Sequence, residues 1–179
     1  LPLRNTQVAY GGITEHNSAR DMRQASERGV TFCNISPLQQ DMPAWLNAQT
    51  LMPRPGTDVA LMLGLAYVLE QESLLDRGFL HSHCEGYARF REYLLGHSDG
   101  VAKTPEWAAQ LADVDAAALV QLARRMAAER TFITAAWSLQ RADHGEQPYW
   151  MVVTLAAMLG QIGMPGGGFG FGYAAEGFI

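Results

Sequence analysis

The chain has 179 residues, 48% hydrophobic and 17% charged, which excludes a disordered segment and sets a single globular domain over 1–179. A formal net charge of −5 argues against a nucleic-acid-binding face, which needs a basic stripe, but not against a ligand phosphate held at a helix start. The longest apolar run, Trp150 to Leu159, is far below the ~20 residues of a membrane-spanning helix.

The first residue is leucine, and the opening Leu1-Pro2-Leu3-Arg4-Asn5 reads as a loop without the charged and apolar regions of a secretory signal. Such a start is expected of a piece of something larger. Gln7 to Tyr10 gives a weak strand signal. Thr14 is placed to cap a helix running to about residue 28, with Gly29 as its stop. The β-branched and aromatic run over 30–36 then reads as a buried parallel strand. Thr57 is placed to cap a second helix over 58–71, with acidic Asp58 in the first turn where the macrodipole favours it. Short helices are expected over 74–81 and 84–95. Thr104-Pro105-Glu106 joins a cap to proline at the first helical position, and Asp115 opens a helix to about residue 130. A second strand is expected over 131–137. The last helix runs from near Pro148 to at most Gly163, since Pro165 forbids continuation.

Alternating helices and strands point to an α/β fold: a three-layer, Rossmann-like parallel sheet with helices on both faces. About seven helices stand against two clear strands, and two parallel strands bury neither their faces nor their edges. The last helix is apolar nearly all round, so it needs cover on several sides. The chain therefore reads as a helix-rich, incomplete piece of a larger domain.

Three patterns resemble functional motifs without their context. Gly170-Phe171-Gly172-Tyr173-Ala174-Ala175 has the letters of a dinucleotide fingerprint, but it follows a helix and has no helix after it. His81-Ser82-His83-Cys84 reads as a solvated helix end, because adjacent donors splay around a turn and no second cluster completes a metal set. Cys33 and Cys84 form no CxxC pair, and Cys33 sits in an apolar run as a buried, inert thiol. No P-loop, catalytic triad or metal-ligand set is recognised, so no catalytic or metal residue is assigned.

Three polar segments remain. Asn34-Ile35-Ser36-Pro37 lies at the carboxyl end of a strand, where open α/β sheets place ligands, and the residue at the second strand's end of such sheets often meets a ribose; Ser36 stands where an acid is common, so a hydroxyl would make that contact. Arg54-Pro55-Gly56-Thr57-Asp58 turns into a helix. The Asp58 carboxylate accepts only, which suits the ring N–H and amine of guanine, although stabilising the helix dipole is a sufficient role by itself. The stretch from Trp137 to Gln147 links a strand to the last helix; there Gln140 both donates and accepts, as a pterin edge requires, and Arg141 offers a planar fork. A plain turn and a solvated loop are the competing readings.

The run Arg54-Pro55-Gly56-Thr57-Asp58-Val59-Ala60-Leu61-Met62-Leu63-Gly64 resembles the dimethyl sulfoxide reductase family of molybdopterin oxidoreductases. So do Trp137-Ser138-Leu139-Gln140-Arg141 with Gly145-Glu146-Gln147, and Thr154 through Gly163 with Pro165-Gly166-Gly167-Gly168. The likeness runs from Asn5 to the glycine-rich end, in the branch of biotin sulfoxide and trimethylamine N-oxide reductases. It implies an internal segment of a reductase that transfers an oxygen atom from a small S-oxide or N-oxide and carries bis(molybdopterin guanine dinucleotide) with molybdenum. The same resemblance puts Asp58 at the guanine, Ser36 and Pro37 near its ribose, and Gln140, Arg141 and His144 near a pterin. It also puts the metal's protein ligand upstream, leaving this segment inactive alone and partnered by the remaining domains of the same enzyme. The family commonly has an acid near the position of Ser36, and this chain departs from that. Two other readings stand beside this one: a stand-alone guanine-nucleotide or pterin-cofactor carrier module, and an ordinary NAD-binding domain.

Overall fold

The computed structural model describes residues 18–171. The strand signal at Gln7 to Tyr10 and the cap at Thr14 lie outside them. The first described helix, α1 (Ser18–Glu27), turns through Gly29 into strand β1 (Cys33–Ile35). Two short 3-10 turns, Gln39–Asp41 and Ala44–Leu46, lead to β2 (Gln49–Leu51), which runs parallel to β1 with Cys33 opposite Gln49 and Ile35 opposite Leu51. Five helices follow: α2 (Asp58–Gln71), α3 (Arg77–His83), α4 (Tyr87–Leu94), α5 (Pro105–Ala112) and α6 (Ala116–Ala128). A second parallel pair ends the described residues, with β3 (Phe132–Ala135) joined through α7 (Gln147–Met158) to β4 (Gly168–Phe171).

The α/β class and the helix-rich balance match the sequence reading. Among the described residues the parallel strands form two separate two-stranded ladders rather than one sheet. The glycine-rich end also differs from expectation, because Gly168–Phe171 is itself a strand, and residues after 171 lie outside the described ones.

Local chemistry explains the best-defined helix starts. The Thr104 hydroxyl accepts from the Trp107 N–H at 3.2 Å above Pro105, and the Asp115 carboxylate accepts from the Ala117 N–H at 3.1 Å. Asp76 caps α3 through the Phe79 N–H at 2.8 Å. Thr57 behaves differently. It occupies the N-cap position of α2, but its hydroxyl donates back to the Arg54 carbonyl at 2.6 Å, so no side chain caps that helix.

The core is built around α2, buried from Leu61 to Glu70 except for half-buried Tyr67, and packed against α5, α6 and α7. Each leucine buried there contributes about 1.5–3 kcal/mol relative to exposure. Gly64 lets α5 approach: a Cβ at Gly64 would stand 2.6 Å from the Ala108 Cβ.

Among the described residues two charged side chains are buried, and both are paired, as their desolvation demands. Glu70, on α2, accepts from Arg91 Nε at 2.5 Å, the Tyr87 hydroxyl at 2.7 Å and Arg77 Nη2 at 3.4 Å, tying α3 and α4 to the core. Burial pushes its carboxyl up, but these hydrogen bonds and the Arg77 charge outweigh that and hold it below the ordinary value. Lys103, 2% exposed, donates to Asp99 at 2.7 Å and to the Val101 carbonyl, with its ammonium 4.1 Å from the Tyr93 ring centroid.

Candidate functional site

The carboxyl ends of β1 and β2 form one edge. The Ser36 N–H donates to the Leu51 carbonyl at 3.0 Å, extending the ladder by one bond and fixing the exits of the two strands side by side. One exit is Ser36-Pro37. The other is Met52 through Thr57, which enters α2 at Asp58. The backbone of Arg54 is clamped from both sides: its N–H donates to the Ala112 carbonyl at 2.7 Å, and its carbonyl accepts from the Thr57 hydroxyl. Ser36, Pro37 and Asp58 therefore share one strand edge. Asp58 is half-buried at the first position of an uncapped helix, whose opening N–H groups add positive potential.

Ser36 is fully buried, and its hydroxyl is engaged inside the chain. It accepts from the Leu38 N–H at 3.1 Å and donates to the Asp41 carboxylate. Asp41, half-buried in the turn after Pro37, is a residue that sequence reasoning missed. The only signal was an acid five positions beyond a strand end, which has meaning only once the 3-10 turn folds back.

Beneath this edge lies Asn34, fully buried on β1, whose amide nitrogen and oxygen have no hydrogen-bond partner among the described residues. Cys33 and Ile35 pack on the core, so strand alternation puts Asn34 and Ser36 on the other face of the ladder. An unpaired buried amide costs about 1–3 kcal/mol, and such groups collect at functional sites. Cys33, on the core face, has its thiol pushed up by burial and partly offset by Arg125.

The second edge follows β3. Residues Trp137–Arg141 form a 3-10 turn, and the chain then folds through His144, in the left-handed region at φ 53°, into α7. Gln140, Arg141 and His144 are all exposed on this loop. Tyr149, in the first turn of α7, fastens it: the hydroxyl donates to the Ala136 carbonyl at 2.9 Å and accepts from the Gln140 N–H at 3.2 Å. Burial raises its phenol pKa, with the Gln140 contact opposing. Gly145 completes the closure, since a Cβ there would sit 2.5 Å from the Gln140 carbonyl carbon. Contacts of 3.9 Å from His144 to Asp143 and Glu146 are long and exposed, and hold little. Sequence reading gave neither Tyr149 nor Gly145 a part in this closure, because each acts through a fold-back invisible before the turn is known.

The two groups of predicted residues thus sit on different ladders, Ser36, Pro37 and Asp58 on the first and Gln140, Arg141 and His144 on the second. Among the described residues no three His, Cys, Asp or Glu side chains converge as a metal site, and no helix is long and apolar enough to cross a membrane. His83 of the His81–Cys84 run stacks on Phe79 at 4.7 Å at the exposed end of α3.

Comparison with known proteins fits this architecture. The chain is 44% identical over 172 residues to a dimethyl sulfoxide/trimethylamine N-oxide reductase of Cereibacter sphaeroides, covering 96% of this chain and 21% of that protein. It is 43% identical over 176 residues to a biotin sulfoxide reductase of the same organism, covering 98% of this chain and 24% of the relative. A third relative, trimethylamine-N-oxide reductase 1 of Escherichia coli K12, is 54% identical over 123 residues, covering 69% of this chain and 14% of that protein. The chain thus spans about a quarter or less of the length of these relatives. The acetylene hydratase of Pelobacter acetylenicus shares the fold, with a TM-score of 0.70 at 22% identity over 84% of this chain and 20% of that one. Residues 13–177 match the family described as Molybdopterin oxidoreductase, and the chain belongs to that family.

Proposed function

We propose that this chain is part of a molybdenum-dependent S-oxide or N-oxide reductase, and that it grips one nucleotide arm of a bis(molybdopterin guanine dinucleotide) cofactor. The observation that carries the reading is the β1/β2 edge, where paired strand exits deliver Asp58 to the start of an uncapped helix. A crevice outside the carboxyl ends of parallel strands is where α/β sheets bind nucleotides.

The residues fit the group. The Asp58 carboxylate takes two parallel hydrogen bonds from the ring N–H and exocyclic amine of guanine, a donor pair that adenine lacks. The Asn34 amide on the same strand, unpaired among the described residues, supports an edge with polar groups left for a ligand. On the second edge, Gln140 donates and accepts toward a pterin rim, while exposed Arg141 meets anionic or electron-rich groups and His144 stands beside them. The molybdenum centre, when bound, supplies the two-electron oxygen-atom transfer, and the names of the relatives favour dimethyl sulfoxide, trimethylamine N-oxide or biotin sulfoxide as substrate class. This chain supplies position and hydrogen bonds, and is inactive without the remaining domains.

Calorimetric titration of the chain with GDP and ADP, repeated with Asp58→Asn, tests the assignment. GDP is expected to bind more tightly than ADP, and the preference to vanish in the variant. Equal affinities, or a preference untouched by Asp58→Asn, would overturn it. Sulfoxide reduction by the isolated chain with a reduced viologen donor would refute its inactivity.

A further inference from the structure

We propose that Asp41 is the carboxylate that reads the ribose of the bound nucleotide, with Ser36 as its positioning residue. This rests on the nucleotide reading of the β1/β2 edge. In nucleotide-binding α/β sheets the strand after the phosphate-binding unit commonly ends in an acid that accepts from sugar hydroxyls. This chain has Ser36 there instead, and a carboxylate five residues on accepts the Ser36 hydroxyl proton in a hydrogen bond.

A serine hydroxyl carries one proton, and Ser36 spends it on Asp41 while accepting from the Leu38 N–H. Being fully buried, it has neither a proton nor an exposed surface for a sugar. Asp41 has both an acceptor and access. Its Oδ2 is fixed by Ser36, no hydrogen bond occupies its Oδ1 among the described residues, and the side chain is half-buried rather than enclosed. Nor does a Lys or Arg ion pair neutralise it there; the pairs formed by described residues lie elsewhere on the molecule.

The Gln39–Asp41 turn is what brings this carboxylate home. Pro37 turns the chain away from β1, the Leu38 N–H closes on Ser36, and the Asp41 N–H bonds to the Leu38 carbonyl at 3.2 Å. The turn thus brings a carboxylate back to the strand end five residues on, held there by Ser36. A carboxylate is acceptor-only, so it suits the two neighbouring O–H donors of a ribose diol. Removing one hydroxyl from the sugar strips it of half its donors, so the pair predicts discrimination between ribose and deoxyribose.

The test titrates the whole chain with GDP and 2′-deoxy-GDP, for wild type, Asp41→Asn, Ser36→Ala and Asp58→Asn. Wild type is expected to prefer GDP about tenfold, the scale of one hydrogen bond to a charged acceptor. Asp41→Asn should lose that preference by weakening GDP while leaving 2′-deoxy-GDP little changed. Ser36→Ala should reduce it part-way, because the carboxylate stays but is no longer aimed. Asp58→Asn should weaken both ligands alike and preserve the ratio. If Asp41→Asn weakens both ligands equally, or leaves the ratio intact, the proposal fails while the nucleotide reading stands. If wild type binds neither ligand at millimolar concentration, both fail. Circular dichroism melting of the unliganded variants checks that a lost preference is not a lost fold, and Ser36→Ala gives an independent reading if Asp41→Asn melts early.

Discussion

Gly64→Ala adds one methyl group where α2 and α5 approach closely in the core. Its Cβ would stand 2.6 Å from the Ala108 Cβ, with Leu119 Cδ1 at 3.6 Å and Pro105 Cα at 3.7 Å. Carbon atoms pack at about 3.5–4.0 Å, so α2 and α5 must separate by about 1 Å. No rotamer relieves the clash, because both atoms are Cβ carbons fixed to helix backbones. Overpacking of this kind costs about 1–3 kcal/mol, against which alanine gains up to about 1 kcal/mol of helix propensity over glycine. The expected net loss is about 1–2 kcal/mol by urea denaturation, or a fall of about 2–8 °C in Tm for a domain of this size. Asp58 lies less than two turns before Gly64 on the same helix, so the displacement should also weaken GDP binding. Ala108→Gly in the same chain removes the opposing methyl, and the double variant should recover most of both losses, with a coupling energy of about 1–2 kcal/mol. A Gly64→Ala chain as stable as wild type, or a double variant whose losses simply add, would refute the close-approach argument.

Two further outcomes follow from the packing. Because Glu70 has a lowered folded-state pKa, its network contributes stability above the ordinary carboxyl value of 4.5, and that contribution is lost as pH falls through the lower folded value. Urea midpoints should therefore drop more steeply below pH 4.5 in wild type than in Glu70→Gln, which cannot titrate; parallel curves would show that the network carries no linkage. Gly145→Ala would put a Cβ 2.7 Å from the Gln140 Cα and force the Trp137–Arg141 turn off α7. It should cost about 1–3 kcal/mol and speed amide exchange at Gln140, whose N–H bonds to Tyr149, whereas unchanged exchange would mean the turn does not depend on that approach.

What the sequence made legible was what local chemistry decides. Thr104 and Asp115 announce α5 and α6 because a side-chain oxygen three or two residues from a free N–H is a short-range fact. The bounds of α2 were equally plain, though the role of Thr57 was not. The missed elements depend on partners far along the chain. β2 has three residues and exists because β1 pairs with it, and β4 reads Gly-Phe-Gly-Phe, a poor strand by propensity. Gly168 has φ +86°, and a Cβ there would meet the Gln161 carbonyl oxygen at 3.2 Å, so glycine is required for the closeness of the turn. At the candidate site, Asp58, Gln140 and Arg141 were proposed from sequence because their own side chains carry the chemistry invoked for them. Asp41, Tyr149 and Gly145 were not, because their significance lies in what folds back onto them.

Under the proposed function, loops on two separate strand pairs serve one cofactor, which requires a fixed spacing between them. Each ladder sends a loop from a strand exit into a helix, β2 through Arg54 into α2 and β3 through Arg141 into α7. Those two helices pack directly on each other in the core. The first turns that hold Asp58 and Tyr149 are thus the ends of one rigid helix pair, and the spacing between the edges is set by core packing rather than by sheet hydrogen bonds. Buried side chains at density near that of organic crystals do not slide, so a methyl-sized change at the α2 crossing is felt at both loops. This explains why the most apolar helices of the chain are the ones that begin at its polar edges: the α2 and α7 cores buy positional precision for side chains that are themselves exposed or half-buried.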